Sequence, residues 1–333
     1  MRWNRRKVDT FQIGCEIGKQ LSNYSIQYYN GGNYPLPQTI LVVLLESLKL
    51  VATIMRSGFR IPTMDSASWR KSTKFLLPSL IYAVNNNIYL AGLLLVPPPI
   101  WIILCSFRTV VTASLYKFVL KREVTVAQFT GAFIIVISIV VAKLGDLLSL
   151  DGGNQIPMLA IVFAIISSFN SVGAAVYTES LFKTSGENFL DQQFWLYFYG
   201  MLVAGCVHLI SAPGGSLSDQ FAQLAASTSN VQILLVIALL FGSLGGLVVA
   251  AILKMLDNVV KEYSSATANI ITAILCSRLF PEKFSLTPYI VLAMLLLFVG
   301  IYMYERKPRV THETPGNLKN SHKEHNDNTK NGS

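Results

Sequence analysis

Two cations sit where a bilayer excludes charge. Arg108 falls near the middle of one apolar run and Lys254 at the end of another. A charge at the centre of a membrane helix costs at least ~2.5–3.5 kcal/mol on insertion scales, so such residues face a bundle interior or a wet cavity. A guanidinium presents paired donors that match phosphate geometry. The chemistry these side chains predict is capture of a phosphorylated anion. The alternatives are a structural ion pair between Arg108 and an acid such as Glu46, and a Lys254 that reaches back to the membrane interface. Glu46 and Lys49 lie one helical turn apart and read as a mutual pair, as do Glu179 and Lys183.

Polar residues add to the pattern. Asn85, Asn86 and Asn87 put three amides into an apolar helix, each able to donate and accept. Gln192 and Gln193 open another helix just before Trp195, Tyr197 and Tyr199, and Ser243 precedes Gly245 and Gly246. Amides, hydroxyls, aromatic faces and cations suit a ligand with a base, a ribose and phosphates; the same groups also serve as helix-packing glue. There is no Walker, GxSxG or HExxH motif, His208 stands alone on an apolar helix, and the other three histidines fall after residue 304. With no nucleophile–base pair and no metal set, neither an enzyme nor a cofactor is expected. The four cysteines have no metal or disulfide spacing and read as small buried side chains.

The elements that must position these residues are membrane helices. Of 333 residues, 52% are hydrophobic and only 14% charged, against about 25% charged in soluble domains. The charges gather between apolar runs about as long as the ~20 residues that cross a bilayer. Eight strong spans are expected near 34–55, 75–96, 98–120, 125–144, 156–177, 194–212, 231–253 and 286–304. A ninth, near 263–280, is rich in Ala, Ser and Thr and suits close helix packing. The net charge of +9 sits in loops and tail, so it reads as membrane orientation, with no nucleic-acid partner. Basic residues mark alternate loops: Arg56, Arg60, Arg70, Lys71 and Lys74 in one, Lys117, Lys121 and Arg122 in another. By the positive-inside rule these loops face the cytosol, and the polar segment 305–333 follows on that side as a disordered tail.

Residues 1–33 do not fit this scheme. Glu16 and Lys19 interrupt their only apolar stretch, which makes a poor span and a poor signal peptide. Either a first helix has been lost or replaced, or the segment lies along the surface; the transporter domain proper is then 34–304. An offset of 160 residues lays 113–116 on 273–276, 121–126 on 281–286 and Phe129 on Tyr289. This is a duplication pattern, and it predicts a substrate site between two halves near mid-membrane.

Several stretches are recognisable: LLESLK at 44–49, IYAVNNNIYL at 81–90, the helix around Arg108 and Thr112, AAVYTESLFK at 174–183, QQFWLYFYG at 192–200 and GSLGGLVVAAILKMLDNVVK at 242–261. In this order, over about 34–308, the chain resembles the nucleotide-sugar transporters of the CMP-sialic acid, UDP-galactose and UDP-N-acetylglucosamine branch. LKMLDN together with VYTE is the more specific part. The resemblance implies an all-α polytopic drug/metabolite transporter fold of two inverted helical repeats. About ten helices are expected, with the first degenerate or missing here. It implies a multi-pass antiporter of the Golgi or endoplasmic reticulum membrane, with a cytosolic C-terminus. Such a protein exchanges a cytosolic nucleotide sugar for lumenal nucleoside monophosphate, and can assemble as a homo- or hetero-oligomer. A carrier of another metabolite, or a non-transporting scaffold with the same fold, is the alternative. Carried over residue by residue, Asn86, Asn87, Ser171, Gln193, Tyr197, Ser243 and Lys254 fall on the nucleotide cavity, and Arg108 and Thr112 on a phosphate-side Lys and Thr. Trp101 completes the expected set. It begins a departure, because the apolar run from Trp101 to Phe107 replaces a Tyr- and Gln-rich approach to that phosphate-side residue.

Overall fold

The computed structural model describes residues 5–62, 66–118, 125–148, 156–184, 186–211, 217–255, 258–281, 284 and 287–305. All regular structure among them is helical. The helices are α1 (Arg5–Tyr29), α2 (Gln38–Arg56), a short α3 (Ser66–Ser72), α4 (Leu76–Leu95), α5 (Pro98–Cys105), α6 (Phe107–Phe118), α7 (Val126–Leu148), α8 (Met158–Thr184) and α9 (Phe189–Ser211). They continue with a short α10 (Leu217–Ala226), then α11 (Ser229–Met255), α12 (Asn258–Leu279) and α13 (Pro288–Glu305). Six of the segments are long and apolar enough to cross a membrane: α2, the α5–α6 run, α7, α8, α9 and α11. The fold is that of a polytopic membrane protein.

Local sequence explains the breaks. Pro98 and Pro99 open α5, where their missing amide protons cost nothing. Ser106 separates α5 from α6, its hydroxyl bonded to the Ile103 carbonyl, a local bond that competes with the helix ladder. After α2 the chain reverses through Gly58, at φ 70°, whose amide bonds the Met55 carbonyl at 3.1 Å.

Polarity runs inside out. Val140, Phe133, Leu240 and Leu295 are exposed on the bundle surface, whereas Gln12, Gln20, Glu46, Lys49, Gln192 and Gln193 are buried. That is the distribution expected when the outer solvent is hydrocarbon.

Residues 5–29, for which the sequence left open a lost or replaced first helix or a surface-lying segment, form helix α1. It packs against α11 and α12, with Val8 beside Val248 and Ile252 of α11 and Ile26 near Val231 and Leu235. The two helices are therefore antiparallel, and α1 starts at the end of the bundle where α2 finishes in Arg56 and α11 in Lys254. Polar residues disqualified it as a span because they point inward: Gln12, Gln20, Asn23 and Gln27 are all buried, and Gln20 donates to Asn269 of α12 at 3.0 Å.

Packing partners come in pairs. Where α1 lies on α11 and α12, α8 lies on α4 and on α5–α6; where α4 packs on α9, α11 packs on α2; α6 contacts α7 as α12 contacts α13. The 160-residue offset of the sequence carries α6–α7 onto α12–α13, the same correspondence.

Candidate functional site

Helix α2 carries Glu46 and Lys49 on its inner face, both buried. The Lys49 ammonium donates to Glu46 Oε1 at 2.6 Å, and Asn86 of α4 donates its amide to the same oxygen at 3.2 Å. Lys49 also stands 5.0 Å from the ring centroid of Tyr197 on α9, a cation–π contact. The Tyr197 hydroxyl donates to the Gly246 carbonyl of α11 at 3.2 Å. Four helices are thus tied together around one ion pair.

Glycine makes room for it. A Cβ at Gly200 would lie 2.8 Å from Glu46 Oε2, and a Cβ at Gly246 would lie 2.7 Å from Lys49 Cδ. Any larger residue on α9 or α11 at these positions would push the charged side chains aside. Gly246 was noted in the sequence beside Ser243, whereas Gly200 did not stand out; it falls within one turn of Tyr197 and Tyr199.

The pair borders a cavity between α1, α2, α4, α8, α9 and α11, with about 770 Å³ of empty space counting its open mouth. Ser79, Thr178 and Leu253 in its walls place it toward the bundle end that carries Arg56 and Lys254. A second space of about 410 Å³ extends toward the other end, past Asn23, Leu41, Leu90 and Leu235. The two share Lys19, Leu45 and Asn86 as wall residues, which form a waist between them.

Of the residues expected to bind substrate, Asn86 and Tyr197 line the main cavity. Ser243 lies between its wall residues Gly242 and Gly245, and its hydroxyl bonds the Leu239 carbonyl at 2.7 Å. Gln193 is fully buried one turn before Tyr197. Asn87 turns its amide to the Ala83 carbonyl at 2.9 Å, and Ser171 is half-buried on α8; neither is a wall residue. Lys254 donates to the Phe182 carbonyl, tying the end of α11 to α8. Arg108 and Thr112 are on α6, outside both sets of walls, with the Thr112 hydroxyl on the Arg108 carbonyl at 2.8 Å. Trp101 is a core residue, 3% exposed, its ring packed on Gly92 so closely that a Cβ there would come within 2.3 Å. The cations that face the cavity are Lys19 and Lys49, which replace Arg108 and Lys254 in that position. Glu46 is held by Lys49 rather than by Arg108, and the expected Glu179–Lys183 pair is present at 2.7 Å. Lys19 escaped attention because it sits on the helix that hydropathy rejected.

The arrangement offers a buried cation, a half-buried one, an amide and a tyrosine around a hollow. No cluster of side chains able to hold a metal occurs among the described residues.

Comparison with known proteins places the chain in a family. A family profile described as nucleotide-sugar transporter matches residues 28–305. A CMP-sialic acid transporter 2 of Oryza sativa subsp. indica is 28% identical over 265 residues, covering 78% of this chain and 71% of that protein. A CMP-sialic acid transporter 1 of Arabidopsis thaliana is 26% identical, with 85% of each chain covered. A probable UDP-sugar transporter protein of Xenopus tropicalis is 24% identical, covering 82% and 84%. A solved crystal structure shares the fold with a TM-score of 0.57 at 12% identity, over 88% of this chain and 96% of that one. The profile spans most of the chain, and the chain belongs to the nucleotide-sugar transporter family.

Proposed function

We propose that this protein is a nucleotide-sugar antiporter of the Golgi membrane, or of the endoplasmic reticulum. In this reading it exchanges a cytosolic UDP-sugar for lumenal nucleoside monophosphate. One observation carries the reading: the buried Glu46–Lys49 pair, with Asn86 and Tyr197, at the edge of a hollow between six helices. In the empty carrier Glu46 occupies the place of an anion. A ligand phosphate competes with that carboxylate for Lys49, while amides and hydroxyls read base and ribose. Removing one member of a buried pair leaves an uncompensated charge, so the ligand must satisfy both partners as it enters. Gln193 and Ser243 support the walls. Arg108, Thr112, Ser171, Asn87 and Lys254 are assigned here to the walls of the alternate conformation.

Alternating access is part of this reading; the waist between two spaces and the helix partners that come in pairs support two inverted repeats rocking about the centre. A ligand drives that motion only through unequal binding to the two states. The start of α1 at the basic end supports an N-terminus on the side of the tail, and the positive-inside rule puts that side in the cytosol.

The test is uptake of labelled nucleotide sugars into proteoliposomes, with and without trapped UMP or CMP. Trans-stimulated uptake that falls in Lys49→Met supports the reading; full uptake by Lys49→Met removes the role of the pair. The solid apolar packing around Trp101 favours one other reading, a non-transporting scaffold. A blank panel from folded, correctly sorted protein selects it.

A further inference from the structure

Lys19 is, among the described residues, the one charged side chain in the walls of both spaces. It differs from Lys49 in what compensates it. Lys49 has a carboxylate at 2.6 Å. Lys19 has no acid at ion-pair distance among the described residues; its ammonium lies 4.2 Å from the ring centroid of Tyr89. Glu16, one turn earlier in the same wall, accepts instead from the Gln20 amide at 3.2 Å. Lys19 is half-buried, and a cation–π contact offsets only part of the cost of taking its ammonium out of water. A charge left in this state at mid-bundle attracts an anion. An anion reaching Lys49 must displace Glu46, whereas one reaching Lys19 displaces only a ring face.

We propose that Lys19, beside Asn86 at the waist, is a second anion subsite that takes a negative group of the ligand beyond its first phosphate. This rests on the nucleotide-sugar reading and deepens it. The group is a second phosphate, as in a nucleoside diphosphate sugar, or a carboxylate on the sugar. The subsite belongs to α1, before residue 28, where the match to the family profile begins.

The test compares wild type, Lys19→Gln and Lys19→Arg as full-length protein in nanodiscs, reading ligand affinity by thermal stabilisation. If a second phosphate is the group, Lys19→Gln weakens UDP and UDP-glucose by about tenfold or more, the size of a lost charge-assisted bond, and spares UMP. If a sugar carboxylate is the group, it weakens UDP-glucuronate and CMP-sialic acid and spares UDP-glucose. Lys19→Arg retains most of the affinity in either case. Equal loss for every ligand including UMP, or no loss for any, overturns the subsite. Where wild type binds no nucleotide at all, the nucleotide-sugar reading fails and pyrophosphate and glucuronate decide. Stabilisation by either anion that disappears in Lys19→Gln keeps the subsite; none overturns it as well.

Discussion

At the crossing of α7 and α13, a Cβ on Gly131 would stand 2.5 Å from the Gly300 carbonyl oxygen and 2.6 Å from the Tyr304 amide nitrogen. At the cavity, a Cβ on Gly200 would stand 2.8 Å from the Glu46 carboxylate, and one on Gly246 2.7 Å from the Lys49 side chain. The same residue type serves opposite ends. At the crossing it removes bulk so that two backbones touch, which is how helices associate where no water drives them together. At the cavity it removes bulk so that charged side chains have somewhere to stand. The partner atom tells the two apart: rigid backbone in one case, the flexible end of a side chain in the other.

The comparison can be broken by substitution. Glu46→Ala leaves Lys49 buried without its carboxylate and should cost about 3–5 kcal/mol, read as a fall in Tm in detergent or nanodiscs. A saturating nucleotide should restore part of that loss, and failure to restore any would mean that Lys49 does not take a ligand anion. Gly131→Val places a side chain against backbone and should cost ~1–3 kcal/mol, while nucleotide affinity per folded molecule stays unchanged. Gly200→Ala meets a movable carboxylate. It should cost about 1 kcal/mol, the low end of overpacking, yet alter nucleotide affinity severalfold, and a large Tm fall with unchanged affinity would erase the distinction. Thr112→Val removes only a bond from the side chain to its own helix backbone and should change stability by about 0.5 kcal/mol or less. Unchanged uptake in that variant would remove Thr112 from the transport site.

Much of this was legible in the sequence, for reasons that differ by region. Apolar runs announced α2, α5–α6, α7, α8, α9 and α11 because their outer faces meet lipid. The Glu46–Lys49 pair was readable from spacing alone. Helix α1 was not, since a hydropathy average counts Gln12, Glu16, Gln20, Asn23 and Gln27 against it. Yet those residues recur at intervals of three or four, which is the period of one helix face. An inward polar stripe is the signal that a search for apolar runs discards. Arg108 and Lys254 show the converse limit. Depth in a span is visible in a sequence, but which neighbour a side chain faces depends on the crossing of α6 and α11 with the other helices.

The position of α1 also sets an order of manufacture. It leaves the ribosome before α11 and α12, whose surfaces accept its polar face; Gln20 waits for Asn269, 249 residues downstream. At 5–20 residues per second that interval is on the order of tens of seconds. Through it a helix carrying Glu16 and Lys19 has no matching groove to enter. Docking of α1 into its final groove therefore waits until α11 and α12 have been made.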